Sequence, residues 1–290
     1  MTSRIARPNG TFAMLANDQR ETLRTLLAQA SKGTSDADLR SFKRSVAKAI
    51  SPAASAMLVD RVYGLDAVSA PGIVAPTCGL IVAVDQLIQP PGELVQSTTL
   101  DREAMGPELS EVGAKALKFL VIWRPGDGGG GRDEMMPAFV EGCHRLGLVA
   151  VAEAIVRLPG DDKDALDAAI IQAAAEMGAY EPDVYKAQVP TLGRGSPEKI
   201  ERLSRELTAA ARCPWVVLSS GVPEARLATA VEAACRGGAS GFLAGRGIWA
   251  ASIAARDSAE DLNDRAVKRF EHLVSIVDTW ARPWFEATPP

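Results

Sequence analysis

A lysine lies inside one of the short apolar segments of this 290-residue sequence. In the segment Asp183–Val189, a strand period of two places Val184, Lys186 and Gln188 on one face. Lysine is depleted in strands and is almost never fully buried without a partner. A buried lysine amine that a nearby cation keeps neutral is a nucleophile that can condense with a ketone. An ion pair with Glu153, or a side chain that extends into solvent, is the alternative explanation.

Two more charged residues lie in or at the end of other apolar segments. Lys118 lies near the start of the segment Leu117–Trp123, and a second cation facing Lys186 would help to keep its amine neutral. Glu153 directly follows the segment Leu148–Ala152. A carboxylate one strand away from the Lys186 amine can transfer protons. Both residues could instead be structural, Lys118 as a buried interior lysine and Glu153 as an ion-pair partner.

Eight short apolar segments organise the chain, and the segments between them have a helical period. The eight segments are Phe12–Ala16, Ala56–Val59, Leu80–Val84, Leu117–Trp123, Leu148–Ala152, Val184–Val189, Trp215–Leu218 and Gly241–Ala244. Short, nearly continuous apolar runs are typical of parallel strands that are buried on both faces. Eight strands alternating with helices predict one domain, a (β/α)8 barrel over residues 1–290. An open doubly wound sheet is the alternative, but no strand leads into a GxGxxG motif.

Three segments depart from this regular alternation. Gln86–Val112 is longer than a simple crossover and contains several prolines, which predicts an extra loop or hairpin near the third or fourth strand. Gly128–Gly131 follows the fourth strand, where a solvated loop is favoured over a mobile lid. Arg282–Pro290 contains three prolines and is expected to be a frayed tail.

Polar residues end each of the apolar segments or lie within them. In a barrel these residues gather at the carboxyl ends of the strands, where the active sites of this fold lie. In chain order they are Asp18, Gln19, Arg20, Asp60, Asp85, Arg124, Glu153, Lys186, Gln188, Ser219, Ser220, Gly221, Gly245 and Arg246.

The turns after the last two segments have the composition of an anion site. Barrels often bind phosphate there, through backbone N–H groups and the N-terminus of a helix. The glycines of Ser219–Gly221 and Gly245 let the backbone approach an anion, and Arg246 adds a guanidinium that can donate two parallel hydrogen bonds. Glycine turns next to a surface arginine are the alternative.

Composition excludes several classes of function. The chain has 32 Lys and Arg against 36 Asp and Glu and no basic block, which argues against a nucleic-acid partner. It has neither an apolar run long enough to span a membrane nor a secretory signal, and its four scattered cysteines fit a reduced, cytoplasmic protein. With only His144 and His272, no histidine cluster for a catalytic zinc can form, so we expect no metal and no other cofactor.

Over about residues 10–250, the sequence resembles the class I aldolases of the tagatose-1,6-bisphosphate aldolase type. The segments that carry the resemblance are Phe12–Glu21, Ala116–Arg124, Asp183–Lys186, Trp215–Val222 and Gly238–Arg246. Two stretches are most similar to the sulfofructosephosphate aldolase branch of these enzymes, namely Ile122–Arg124 and Phe242–Trp249.

The resemblance implies a (β/α)8 barrel, a Schiff-base lysine at Lys186 and a proton-handling glutamate at Glu153. It also implies phosphate binding at the two glycine turns, and a homo-oligomer. Two positions depart from the family pattern, because Gln188 stands where a glutamate is usual and Ala154 where a proline is usual. Neither departure removes a primary catalytic group, but Gln188 removes a charge from the face that carries Lys186.

The reaction expected from these residues is the cleavage of 6-deoxy-6-sulfofructose 1-phosphate into dihydroxyacetone phosphate and sulfolactaldehyde. Asp18 and Gln19 would bind substrate hydroxyls, and the two glycine turns with Arg246 would bind the C1 phosphate. Arg20 and Arg124 are the candidates for the sulfonate end, although both could instead pair with surface carboxylates. Cleavage of tagatose or fructose 1,6-bisphosphate is one alternative, and a non-catalytic regulator that binds sugar phosphates on the same scaffold is another.

Overall fold

The computed structural model describes residues 1–90, 94–106, 108–127, 131–160 and 162–287, without the side chain of residue 110. The strands are β1 Phe12–Asn17, β2 Ala56–Val59, β3 Gly79–Ala83, β4 Asp85–Ile88, β5 Ser97–Leu100, β6 Ala114–Trp123, β7 Val149–Val156, β8 Val184–Gln188, β9 Trp215–Leu218 and β10 Gly241–Ala244. The α-helices are α1 Glu21–Gln29, α2 Asp36–Ile50, α3 Gly64–Val68, α4 Glu108–Glu111, α5 Arg132–Arg145, α6 Lys163–Ala179, α7 Pro197–Ala211, α8 Leu227–Arg236, α9 Arg246–Ala254, α10 Ser258–Asp261, α11 Val267–Trp280 and α12 Trp284–Ala287. Within these residues, no helix is long and apolar enough to cross a membrane.

Eight of the strands form a closed parallel barrel in the order β1-β10-β9-β8-β7-β6-β3-β2. The predicted (β/α)8 barrel is therefore confirmed, and each of the eight predicted apolar segments overlaps one barrel strand. The helices that follow the strands pack on the outside of the barrel, as expected for the predicted segments of helical period.

The alternation of side chains along each strand divides the core into two layers. Phe12 and Met14 of β1 belong to the cluster that fills the barrel interior, whereas Ala13 and Leu15 pack between barrel and helices. Val151 of β7 and Val184 of β8 lie in the interior cluster as well. Because side chains alternate with a period of two, Glu153 and Lys186, two positions further along these strands, also point toward the barrel axis.

The hairpin predicted near the third strand is present as β4 and β5, which pair antiparallel with Asp85 opposite Leu100. Backbone hydrogen bonds fix the hairpin to the barrel, because Val84 N–H donates to the Lys118 carbonyl and Asp101 N–H donates to the Val84 carbonyl. Asp85 is the first residue of the hairpin, so this insertion begins at the carboxyl end of β3.

The segment expected to be a frayed tail is folded as far as residue 287. Trp284–Ala287 form the short helix α12, in which the Trp284 N–H donates to the Gly10 carbonyl at 2.8 Å. The Trp284 ring packs against the interior cluster at the amino end of the barrel, so burial of an aromatic ring orders this segment. Residues 288–290 and residues 128–130 of the predicted glycine loop lie outside the described residues.

Gly241 at the start of β10 adopts a φ of +141°, and a Cβ there would lie 1.9 Å from the Phe12 carbonyl oxygen. We expect Gly241→Ala to lower the free energy of unfolding by about 2–4 kcal/mol, because it adds a steric clash to the backbone cost. Gly72 has a φ of +80° with open space around its Cβ position, so Gly72→Ala should cost about 1–2 kcal/mol. Urea unfolding of both variants measures the difference, and equal losses would contradict the steric argument.

Candidate active site

An open cavity of about 120 Å³ lies at the carboxyl ends of the barrel strands. Active sites of this fold lie at the same end of the barrel. The cavity brings together most of the predicted site residues, which are Asp18, Gln19, Arg20, Lys118, Glu153, Lys186, Ser219, Ser220, Gly245 and Arg246.

Three predicted site residues do not line this cavity. The side-chain oxygen of Gln188 accepts a hydrogen bond at 2.7 Å from Val156 N–H, so this amide ties the end of β8 to the end of β7. Gly221 lies in the turn after β9 with a φ of +84°. Arg124 donates to the Gln96 carbonyl of the hairpin at 2.8 Å. Their contribution to substrate binding stays a prediction.

Lys186 and Glu153 form a buried pair on the inner face of the barrel. The two residues are direct neighbours in the register of β7 and β8. Lys186 Nζ lies 3.0 Å from Glu153 Oε2, and the side chains are only 2% and 5% exposed. A proton can therefore pass directly between the amine and the carboxylate.

Lys118 of β6 is surrounded by carboxylates. Its Nζ lies 2.7 Å from Asp85, 2.9 Å from Asp18 and 3.5 Å from the same Glu153 oxygen that contacts Lys186. Burial alone would lower the pKa of Lys118, but Asp18, Asp85 and Glu153 outweigh it and raise the pKa above its usual value. Lys118 is thus a permanent cation beside the pair, and its charge is matched by Asp18 and Asp85.

Asp18 is held as a carboxylate by the two lysines. Burial would raise its pKa, but the charges of Lys118 and Lys186 outweigh burial and hold the pKa well below its usual value. Arg20, two residues further along, donates to the backbone carbonyl of Asp85 at 3.0 Å and to its carboxylate at 3.2 Å. Arg20 therefore lines the cavity with its charge already paired.

Asp85 is the central residue to which the sequence assigned no function. Its carboxylate accepts hydrogen bonds from Lys118 and Arg20 and is almost fully buried. The available signal was its position directly after an apolar run, which it shares with Glu153. The sequence cannot distinguish Asp85 from an ordinary polar residue that ends a strand, because its partners, Lys118 and Arg20, are distant in sequence.

A second buried ion pair supports the strand end that carries Asp18. Lys43 of α2 contacts Asp60 at 2.6 Å and donates to the backbone carbonyl of Asn17 at 2.7 Å, and all three residues are fully buried. Burial lowers the pKa of Lys43, and Asp60 works against this shift. Lys43 gives no signal in the sequence because it lies in a helix rich in charged residues.

The anion-binding part of the cavity lies on the side of β9 and β10. Gly245 caps the N-terminus of α9, its N–H donates to Ser219 Oγ at 3.4 Å, and Arg246 donates to Ser220 Oγ at 3.0 Å. Burial lowers the pKa of Arg246, against the effect of nearby carboxylates. In the described part of the chain, no carboxylate lies within 4 Å of this guanidinium. A helix N-terminus beside an arginine without an ion-pair partner attracts anions.

The family model for DeoC/LacD family aldolases matches residues 12–251. The chain is 26% identical to tagatose 1,6-diphosphate aldolase 2 of Streptococcus pyogenes serotype M3, over 96% of this chain and 94% of the relative. It is 28% identical to tagatose 1,6-diphosphate aldolase 1 of Enterococcus faecalis, over 84% of this chain and 81% of the relative.

Solved structures share the fold. A fructose-bisphosphate aldolase from Plasmodium falciparum superposes with a TM-score of 0.74 at 13% identity, over 97% of this chain and 94% of that chain. A Schiff-base-forming fructose-1,6-bisphosphate aldolase superposes with a TM-score of 0.62 at 16% identity, over 94% of this chain and 97% of that chain. At these identities the similarity establishes the barrel alone.

Removal of the buried cation tests the charge arrangement. We expect Lys118→Met to lower the free energy of unfolding at pH 7 by about 3–5 kcal/mol, because it leaves buried carboxylates without a partner. The lowered pKa of Asp18 stabilises the wild type above the unfolded pKa of about 4, and this stabilisation is lost as the pH falls. The variant lacks the Lys118 charge that lowers the pKa of Asp18, so the difference from wild type should narrow below about pH 5.

Urea unfolding from pH 8 to pH 4 measures this dependence. Lys199→Met is the matched control, because Lys199 also contacts two carboxylates but is 40% exposed. The control should cost less than about 1 kcal/mol at every pH. A constant difference between Lys118→Met and wild type would contradict the argument.

Proposed function

Because the chain belongs to the DeoC/LacD family of aldolases, and is therefore a lyase, we propose that it cleaves a ketose phosphate through a Schiff base on Lys186. The observation that carries the proposal is the buried contact of 3.0 Å between the Lys186 amine and the Glu153 carboxylate. The anion site at Gly245 and Arg246 opens into the same cavity, so a phosphate bound there places its sugar beside the amine.

Lys186 becomes a nucleophile when its ammonium proton passes to Glu153. The neutral amine attacks the ketone carbon and forms a carbinolamine. The Glu153 acid then protonates the departing hydroxyl, which leaves as water, and a positively charged iminium remains on Lys186. This step returns Glu153 to the carboxylate and needs no other proton donor.

The iminium accepts the electron pair of the C3–C4 bond. Glu153 takes the proton of the C4 hydroxyl as this bond breaks, so an aldehyde leaves and an enamine remains. Glu153 then returns the proton to C3, and water hydrolyses the iminium to release dihydroxyacetone phosphate and the lysine ammonium. Lys118 keeps a positive charge 3.5 Å from the Glu153 oxygen that contacts Lys186 throughout these steps.

The substrate's C1 phosphate would bind to the Gly245 N–H region and to Arg246, with Ser219 and Ser220 as further hydrogen-bond partners. Asp18 and Gln19 line the cavity and can accept or donate hydrogen bonds to substrate hydroxyls.

We infer that the distal group is a sulfonate, so the substrate is 6-deoxy-6-sulfofructose 1-phosphate and the aldehyde product is sulfolactaldehyde. The resemblance of Ile122–Arg124 and Phe242–Trp249 to the sulfofructosephosphate aldolases supports this choice. A hexose 1,6-bisphosphate is the second candidate, because the relatives in Streptococcus pyogenes and Enterococcus faecalis are named tagatose 1,6-diphosphate aldolases.

Borohydride reduction tests the covalent step. In the presence of dihydroxyacetone phosphate, we expect a reduced adduct on the peptide that contains Lys186, because borohydride reduces the iminium to a stable amine. Lys186→Ala should give no adduct and lose turnover, whereas Lys199→Ala should behave like wild type. Peptide mass spectrometry locates the adduct. A wild-type protein that binds the ligand without forming an adduct would indicate a sugar-phosphate-binding protein instead.

A comparison of two substrates tests the identity of the distal group. We expect kcat/KM for 6-deoxy-6-sulfofructose 1-phosphate to exceed that for fructose or tagatose 1,6-bisphosphate by at least about tenfold, which corresponds to about 1.4 kcal/mol of transition-state binding. Mass detection of the triose products under identical salt conditions measures both values. The opposite preference would replace the sulfonate assignment and leave the Schiff-base mechanism intact.

A further inference from the structure

Two arginines lie side by side at the mouth of the barrel. Arg124 directly follows β6, and Arg157 directly follows β7. The last paired residues of β6 and β7 are Trp123 and Val156. The backbone N–H of Arg157 donates to the Trp123 carbonyl at 2.8 Å, so the hydrogen bonding between the two strands continues one residue further. The two arginines are therefore neighbours on adjacent strands.

Both arginines share the strand parity of residues that line the cavity. On β7, Glu153 and Ile155 line the cavity, and Arg157 is the next residue with the same parity. On β6, Leu120 lines the cavity, and Arg124 continues its parity four residues later. Neither arginine lines the cavity itself; Arg157 is half-buried and Arg124 is exposed, one and two positions of the same parity beyond the residues that do.

The described part of the chain supplies no carboxylate partner for either arginine. Within the described residues, no carboxylate oxygen lies within 4 Å of Arg124 or Arg157, and the buried Nε of Arg157 has no hydrogen-bond partner there. Burial lowers the pKa of Arg157, and the neighbouring charge of Arg124 lowers it further. Arg132 at the start of α5 is different, because it forms ion pairs with two carboxylates.

We propose that Arg124 and Arg157 bind the second anionic group of the substrate, the sulfonate or phosphate remote from the ketone. This inference rests on the proposed function, because it places the anion relative to Lys186. Two adjacent guanidinium groups with free donors match an oxyanion with three oxygens. Arg20, the other arginine that the sequence suggested for the sulfonate end, forms an ion pair with Asp85.

The strand order gives the substrate a direction. In the closed sheet, β8 with Lys186 lies between β9–β10, which carry the first anion site, and β7–β6, which carry the two arginines. A ketose with an anion at each end can lie across the mouth with its carbonyl beside Lys186. Its C1 phosphate then contacts Arg246, and its distal anion contacts Arg124 and Arg157.

Kinetics of Arg157→Met test this assignment. We expect KM for the ketose with two anionic groups to rise by about 10- to 100-fold, the effect of losing a charge-assisted hydrogen bond. Borohydride trapping of dihydroxyacetone phosphate should keep its wild-type concentration dependence, because this ligand has a single anion. Arg157→Lys should recover part of the affinity, and Arg202→Met, at an exposed arginine paired with Glu206, should match wild type.

An unchanged KM in Arg157→Met would overturn the assignment. An increase in KM matched by an equal increase in the dihydroxyacetone phosphate concentration needed for trapping would overturn it as well. The arginine would then support Lys186 or the fold.

Sulfate binding separates the anion site from the proposed chemistry. In the Arg246→Ala background, which weakens the first anion site, calorimetric titration with sulfate should detect one site that Arg157→Met removes. This result would support the anion site even if the wild type formed no adduct with dihydroxyacetone phosphate. Sulfate binding that is insensitive to Arg157→Met would refute it.

Discussion

The cavity depends on one buried cation, the Lys118 ammonium. A desolvated charge of this kind is stable only when opposite charges and hydrogen bonds surround it, and Asp18, Asp85 and Glu153 provide both. Asp18 follows β1, Asp85 begins β4 and Glu153 lies within β7, so the same cation holds together distant parts of the chain. Removal of any one member would leave the others uncompensated in a region of low dielectric.

The same arrangement keeps Glu153 available for proton transfer. One of its oxygens lies between Lys118 and Lys186, so a fixed positive charge stands on one side and an exchangeable proton on the other. The hairpin after β3 supplies Asp85, and Arg20 and Lys43 fix the strand ends that carry the carboxylates. The loops beyond the strands therefore determine the electrostatics of the cavity, whereas the barrel determines the positions of Lys186 and Glu153.

Charge compensation also distinguishes the arginines around the mouth. Arg20 and Arg132 have carboxylate partners, which makes them structural. Arg246 contacts a serine hydroxyl, and Arg124 contacts a backbone carbonyl, so neither is neutralised by these contacts. A bound anion would supply the counter-charge that these contacts do not, as proposed for both arginines.

The sequence by itself determined the barrel and most of the lining of its mouth. Strand period and burial decide which way a residue such as Lys186 points, and parallel strands bring their carboxyl ends together, so both properties are local or follow from the fold class. Only the tertiary structure decided which polar groups pair. Asp85 contacts Lys118 across strands, and Gln188 bonds to the backbone of β7 and not to the cavity. Such contacts form only when the separation of two residues far apart in sequence is correct to a few tenths of an ångström, and no local pattern encodes that separation.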